Sequence, residues 1–227
     1  MIPGAECPLC GALAPFATRA APRPVHRCPE CDLRFVPAAH HLSPEQERAR
    51  YRLHRNSIED AGYVRFLSPV VEALKRRLPC RATPPLTRQG LPAAGAPAVL
   101  DYGCGPDPVL VKLLRRAGYD AAGYDPFFHP DTELRRGYDA VVSTETFEHF
   151  RAPATEIERV VRLLKPGGVL AVMTALYDGQ DLATWHYSLD ATHVCFYTIA
   201  TFRFVAVRWG LQVVETNDRN LIVMVNG

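Results

Sequence analysis

Lysine is scarce in this chain of 227 residues: three lysines (Lys75, Lys112 and Lys165) stand among 26 basic residues, a bias of composition with no functional signal of its own. Excess charge is also missing. A formal net charge of +2 gives no global electrostatic case for nucleic acid. No apolar run approaches the roughly eighteen residues a membrane-spanning helix needs, and no signal-type apolar core follows Met1. The expectation is a cytoplasmic protein with no membrane contact. Nor do the seven cysteines look like a secreted disulfide framework, since four of them fall in two Cys-x-x-Cys pairs. With 48% hydrophobic and 22% charged residues, the remainder is an ordinary globular chain, long enough for one well-buried α/β domain plus something small.

The stretch Val99-Leu100-Asp101-Tyr102-Gly103-Cys104-Gly105-Pro106-Asp107 is the most informative one present. A short apolar strand ends on a carboxylate, two glycines alternate, and a helix-like run begins at Val109. Glycines there let the backbone turn tightly and approach a ligand with no Cβ in the way. Such a turn sits at the carboxyl end of a strand and at a helix N-terminus, the usual crevice of an open α/β sheet. The third glycine of a dinucleotide fingerprint is lacking, because Pro108 occupies its place. Asp125, ending Ala121-Ala122-Gly123-Tyr124, stands where a ribose-binding carboxylate is expected for several nucleotide cofactors. Asp101 discriminates among them: it would repel a diphosphate and welcome an ammonium and a sulfonium. That charge pattern points to S-adenosyl-L-methionine (SAM).

Five segments in order then resemble a class I SAM-dependent methyltransferase of the ubiquinone-type and small-molecule branch. They are Leu100 to Gly105, Gly123-Tyr124-Asp125, Tyr138 to Val142, Glu145-Thr146-Phe147-Glu148-His149-Phe150, and Leu163-Leu164-Lys165-Pro166-Gly167-Gly168-Val169-Leu170. The resemblance implies a doubly wound, Rossmann-like, mainly parallel sheet with an antiparallel last strand. It also implies that Asp101, Tyr102, Gly103, Cys104 and Gly105 meet the methionine end of the cofactor. Asp125 and Pro126 would meet its ribose side, with Thr144, Glu145 and Thr146 near the transferred methyl. Two departures stand out. Asp107 replaces the last glycine of the family's first loop and reads as an N-cap for the next helix. Only twelve residues separate Asp125 from Tyr138, too few for the usual helix and strand, so the third strand is expected to be missing or vestigial.

Cys7, Cys10, Cys28 and Cys31 have the spacing of a four-thiolate zinc site, with seventeen residues between the pairs. The proline-rich segment between them cannot bury a core, so metal binding would supply its folding energy. A closed four-thiolate site is structural rather than catalytic. The competing reading is a redox dithiol, although no βαβ pattern surrounds either pair. His26, beside the second pair, reads as a solvated loop histidine, with a ligand in a distorted site as its alternative. Residues 1–42 thus form an expected zinc-ribbon module; 43–81 a helical arm or lid; 82–97 a Pro/Ala/Gly-rich linker; and 98–227 the methyltransferase domain.

In the arm, Ser43-Pro44-Glu45-Gln46 starts a helix expected to reach about Arg55. A second helix is expected from Tyr63 to Leu78, with Phe66, Leu67, Val70, Val71, Leu74 and Leu78 on its apolar face. Tyr51, His54, Asn56 and Tyr63 are its polar lid candidates. Between Arg65 and Arg88, six basic residues face one acid, Glu72.

A general base is needed only if the acceptor must lose a proton. His193 is the first candidate and His186 the second, both in the cluster Trp185-His186-Tyr187 and Asp190-Ala191-Thr192-His193; the alternative for His193 is a loop-ordering role. His149 is a third candidate, with a capping role as its alternative. The favoured reading is methyl transfer to a small-molecule acceptor. Two others stay open: an RNA-modifying enzyme gripping through the ribbon and the basic 65–88 segment, and a non-catalytic interaction protein on the same fold.

Overall fold

Two Cys-x-x-Cys turns organise the N-terminal segment of the computed structural model, which describes residues 2–53, 56–80 and 95–227. After each second cysteine the chain enters the left-handed region, at Gly11 (φ 81°) and at Asp32 (φ 58°). Glycine pays nothing there, and aspartate is among the few other residues that tolerate it. Each turn closes on its first cysteine: the Gly11 amide donates to the Cys7 carbonyl at 2.8 Å and the Asp32 amide to the Cys28 carbonyl at 3.1 Å. Short strands flank the turns, β1 (Ala5–Glu6), β2 (Leu13–Ala14), β3 (Phe16–Ala20), β4 (Arg23–Arg27) and β5 (Arg34–Phe35). His26 lies in β4 and is buried, not solvated: its Nδ1 is 3.1 Å from the Ala14 carbonyl and its ring stacks on Phe35.

Helix α1 (Pro44–Tyr51) starts on the expected cap. The Ser43 hydroxyl accepts from the Gln46 amide while the Gln46 side chain accepts from the Ser43 amide. It ends at Tyr51, a turn short of the expected Arg55; His54 and Arg55 lie outside the described residues. Helix α2 (Ala61–Arg77) begins two residues early because Asp60 accepts from the amides of Gly62 and Tyr63. Leu67, Val70, Val71 and Leu74 are buried as the periodicity requires, whereas Phe66 is 38% exposed and faces a cavity with Tyr63. The basic end of α2 is neutralised: Lys75 pairs with Glu72, and Arg76 and Arg77 both pair with Glu215. Most of the expected linker, residues 82–94, lies outside the described residues.

From Ala98 the chain builds β6 (Ala98–Tyr102), α3 (Val109–Arg116), β7 (Asp120–Tyr124), β8 (Tyr138–Thr144), α4 (Pro153–Leu163), β9 (Leu164–Met173), a single turn α5 (His186–Leu189), β10 (Cys195–Phe196), α6 (Ile199–Arg208), β11 (Leu211–Thr216) and β12 (Leu221–Asn226). The main sheet has the order β11-β12-β9-β8-β6-β7. β7, β6, β8 and β9 run parallel, and β12 is antiparallel between β9 and β11. β7 is an edge strand and no strand forms between Asp125 and Tyr138, as the short interval requires. One face of the sheet packs on α2 and α3, and the other on α4, α6 and the ribbon. Asp107 does not cap α3; it pairs with Lys112 at 2.5 Å, and Pro108 occupies the cap position. Among the described residues no helix is long and apolar enough to cross a membrane.

Sequence reading gave no sign of β10. Cys195–Phe196 pairs antiparallel with Arg34–Phe35, so the second sheet has the order β10-β5-β4-β3 and takes its last strand from late in the chain. The ribbon cysteines and the residues around β9 and α6 belong to one buried cluster.

Candidate active site

The strand order reverses between β6 and β8, and a cavity of about 730 Å³ opens at the carboxyl ends of these strands. Gly103 and Gly105 shape its floor. Both have positive φ (87° and 67°), and a Cβ on Gly103 would stand 2.3 Å from the Thr146 side chain, so only glycine fits there. The Gly103 and Cys104 amides donate to the Tyr124 carbonyl, which ties the loop to the end of β7. Cys104 packs toward Gly123, and burial pushes its thiol up.

Two carboxylates stand on this floor in different states. Asp125 is used by the backbone: one oxygen accepts from the Gly105 amide at 3.1 Å, the other from the amides of Phe127 and Phe128. Asp101 is buried, and its Oδ1 has no partner. Burial, then the neighbouring charge of Asp125, pushes Asp101 up to about 7. A buried carboxylate left this way is short of one cation.

Thr144, Glu145, Thr146 and Pro126 line the same cavity, as do Tyr51, Asn56 and Tyr63 from the arm. Asn56 donates to the Tyr63 hydroxyl at 3.1 Å, and Tyr63 stacks on Phe66. Tyr51 donates to Glu47, packs edge-on against His149 and tilts against Phe127. Arg151 pins α1 from below, donating to Glu47 at 2.6 Å and to the Leu42 carbonyl.

At the opposite wall Glu148, His149 and His193 converge. Glu148 is fully buried, and its Oε2 ends a directed chain of hydrogen bonds. The Ala175 amide donates to the Tyr187 hydroxyl, Tyr187 donates to Thr174, and Thr174 donates to Glu148 at 2.8 Å. Its Oε1 has no hydrogen-bond partner and lies 3.9 Å from His149 Nε2. The His149 Nδ1 is 3.0 Å from the Thr192 carbonyl and the His193 Nδ1 is 2.6 Å from the Tyr187 carbonyl. A carbonyl only accepts, so both Nδ1 atoms carry the proton and both Nε2 atoms are bare in the neutral rings. Burial holds His193 down to about 4. Glu145, held by its amide to the Met173 carbonyl with φ 48°, is pushed up to about 9 by burial and then by the charge of Glu148.

His186, by contrast, is exposed on α5 and does not line the cavity, because the single turn points its ring outward while Tyr187 points in. Arg23 was not among the residues singled out in the sequence, yet it holds this wall together. From β4 its guanidinium donates to four carbonyls, Ser188 at 2.7 Å, Asp190 at 2.8 Å, His193 at 2.9 Å and Ala191 at 3.0 Å. Asp190 in turn accepts from Thr192 and Arg50. These contacts outweigh its burial and hold its carboxyl below the usual range. In the ribbon, the sulfurs of Cys7, Cys10, Cys28 and Cys31 all lie within 4.8 Å of one another, a cluster that could hold a metal ion. His26 is not part of it.

The sheet order, the reversal point and the glycine floor define a Rossmann-like fold of the class I methyltransferase type. A family profile described as "Methyltransferase domain" matches residues 72–216, and the chain belongs to that family. Uncharacterized methyltransferases of Mycobacterium tuberculosis H37Rv and Mycobacterium bovis are each 32% identical to it over 113 aligned residues, covering 40% of this chain and 57% of the relative. The chain therefore matches little more than half the length of these relatives. Two Burkholderia thailandensis structures are similar in fold. An O-methyltransferase family protein superposes with a TM-score of 0.50 at 15% identity, over 80% of this chain and 63% of its own. The 1,6-didemethyltoxoflavin-N1-methyltransferase, solved with 1,6-didemethyltoxoflavin and S-adenosylhomocysteine, gives a TM-score of 0.50 at 15% identity, over 88% and 96%.

Proposed function

We propose that this methyltransferase uses SAM to methylate a small molecule held between the glycine floor and the Glu148–His149–His193 wall. The unpartnered Asp101 oxygen is the observation that carries this reading. The cofactor's ammonium supplies the one cation the buried carboxylate lacks, and attraction in a buried site is far stronger than in water. Gly103 and Gly105 give the methionine end its close approach, and Asp125 keeps free lone pairs for ribose hydroxyls beside its backbone bonds. Pro126, Phe127 and Phe128 offer an apolar surface next to it.

A sulfonium methyl is already activated, so the protein's part is to align the acceptor and exclude water. Thr144, Glu145 and Thr146 flank the line of transfer. Tyr51 and Tyr63 roof it, and the Glu148–His149–His193 wall takes charge of any proton the acceptor gives up. His193 is the first of these to face the acceptor and His149 the second. The cysteine cluster holds structural zinc, since two Cys-x-x-Cys turns with converging buried sulfurs match the donor set of a closed tetrahedral site. Small rather than polymeric acceptors are favoured by the pairing of Lys75, Arg76 and Arg77 with carboxylates, which leaves α2 little charge to offer a phosphate backbone.

Calorimetric titration of SAM and S-adenosylhomocysteine into zinc-loaded protein tests the reading. Micromolar binding that Asp101→Asn weakens at least tenfold is expected. Absent binding, or affinity indifferent to that substitution, overturns it.

A further inference from the structure

From the convergence of Glu148, His149 and His193 we infer a second metal site, for a divalent first-row transition ion, on the acceptor side of the cavity. One donor atom from each residue, all within 4.8 Å of one another, forms this cluster. Ligands on a common ion at about 2.1 Å stand roughly 3 to 3.6 Å apart, so small side-chain rotations complete the set. Two imidazoles and one carboxylate are the donors that select such ions, and three ligands from one wall leave further positions open.

Three features prepare the residues for that role. The Glu148 Oε1 is fully buried and unpartnered, while the hydrogen-bond chain through Thr174 fixes the other oxygen and so the direction in which Oε1 points. Both histidines spend their Nδ1 protons on backbone carbonyls, which leaves both Nε2 lone pairs as the donors, and the His149 Nε2 lies 3.9 Å from the Glu148 Oε1. A ring proton given to a carbonyl is the usual outer support of a metal-bound histidine, fixing tautomer and orientation together. Glu145 lines the same cavity and sets a second carboxyl beside them.

Resting on the SAM reading above, the ion would favour acceptors with adjacent oxygen donors, one of them a hydroxyl. Coordination lowers the hydroxyl's pKa and its proton leaves to solvent. The methyl then moves from sulfonium to that oxygen, and the broken carbon–sulfur pair returns to sulfur as a thioether. His149 and His193 would in that case serve as ligands, and the ion would take over the work of a base.

Cobalt(II) titrated into zinc-loaded protein is the test, read by weak d–d absorption without a thiolate charge-transfer band and by metal analysis. One cobalt per chain beside one zinc is expected, with affinity lowered at least tenfold in both His193→Ala and Glu148→Gln and unchanged in His186→Ala. His149→Gln serves where the Glu148 variant fails to fold, judged by zinc content and melting. No cobalt beyond that exchanged into the thiolates, or uptake indifferent to these substitutions, overturns the site. S-adenosylhomocysteine binding measured in the same samples separates the two claims: cofactor without cobalt ends only the metal site, and cobalt without cofactor ends only the SAM reading.

Discussion

The Arg23 guanidinium donates to the carbonyl of His193 at 2.9 Å, joining a strand of the ribbon to the histidine on the acceptor wall. The same cation binds three more carbonyls of the loop that carries His193, and it is itself only 9% exposed. A buried cation with this many acceptors is costly to remove, because each acceptor loses its donor without gaining water.

Arg23→Ala should therefore cost about 1–3 kcal/mol of stability or more, the range for leaving a buried acceptor without its donor. Urea unfolding checks the magnitude, and hydrogen exchange should show protection lost first at residues 188–193. Arg23→Lys should recover only part, since an ammonium cannot serve four carbonyls in a planar fork.

Asp101 makes stability depend on pH in an unusual direction. Its folded pKa is raised from 3.8 to about 7, first by burial and then by Asp125. Between these values the folded state keeps a proton the unfolded chain has lost, so stability falls as pH rises through that window. The full effect is on the order of 4 kcal/mol. Asp101→Asn should remove this slope in urea titrations of ligand-free protein. A cationic ligand at Asp101 prefers the ionised form, so its affinity should climb as pH approaches and passes about 7.

Thr174 sits midway along the chain from the Ala175 amide to Glu148. Thr174→Val keeps the shape and deletes the relay, leaving the Tyr187 hydroxyl without an acceptor and Glu148 without its donor. A loss of about 1–3 kcal/mol is expected, with Thr174→Ser close to wild type; equal stability of the two variants would remove the relay's importance.

Removal of the zinc proposed for the cysteine cluster should be felt beyond the ribbon. Chelation is expected to expose residues 5–35 to hydrogen exchange and, through β10 and Arg23, to loosen residues 186–196, while β6, β8 and β9 keep their protection. Exchange confined to the ribbon would show that the two regions are uncoupled.

The parallel strands, the absent third strand, the α1 cap and the glycine floor were legible because each is written locally, in strand-length apolar runs, a Ser-Pro start or a two-glycine turn. Other features have no local signature. β10 is two residues long and pairs with residues 34 and 35. Arg23 looks like any other arginine until four carbonyls surround it, and His26 is buried only because β4 becomes an inner strand of its sheet. His186 and His193 flank the same aromatic cluster, but His186 is exposed on a four-residue helix while His193, beyond its end, is tied to the Tyr187 carbonyl at the cavity wall. Asp107 stands one residue before the cap position, which Pro108 occupies, and its carboxylate pairs with Lys112 instead.

The pairing of Arg34–Phe35 with Cys195–Phe196 also sets the order in which the molecule can assemble. A ribosome releases the ribbon long before its last strand exists, so the nascent N-terminal sheet waits with an open edge while the main sheet is made. Contacts so distant along the chain form late and slow folding. The edge at β5 is therefore the place where an incomplete chain would first pair with the wrong partner, and any fragment ending before residue 195 carries that hazard permanently.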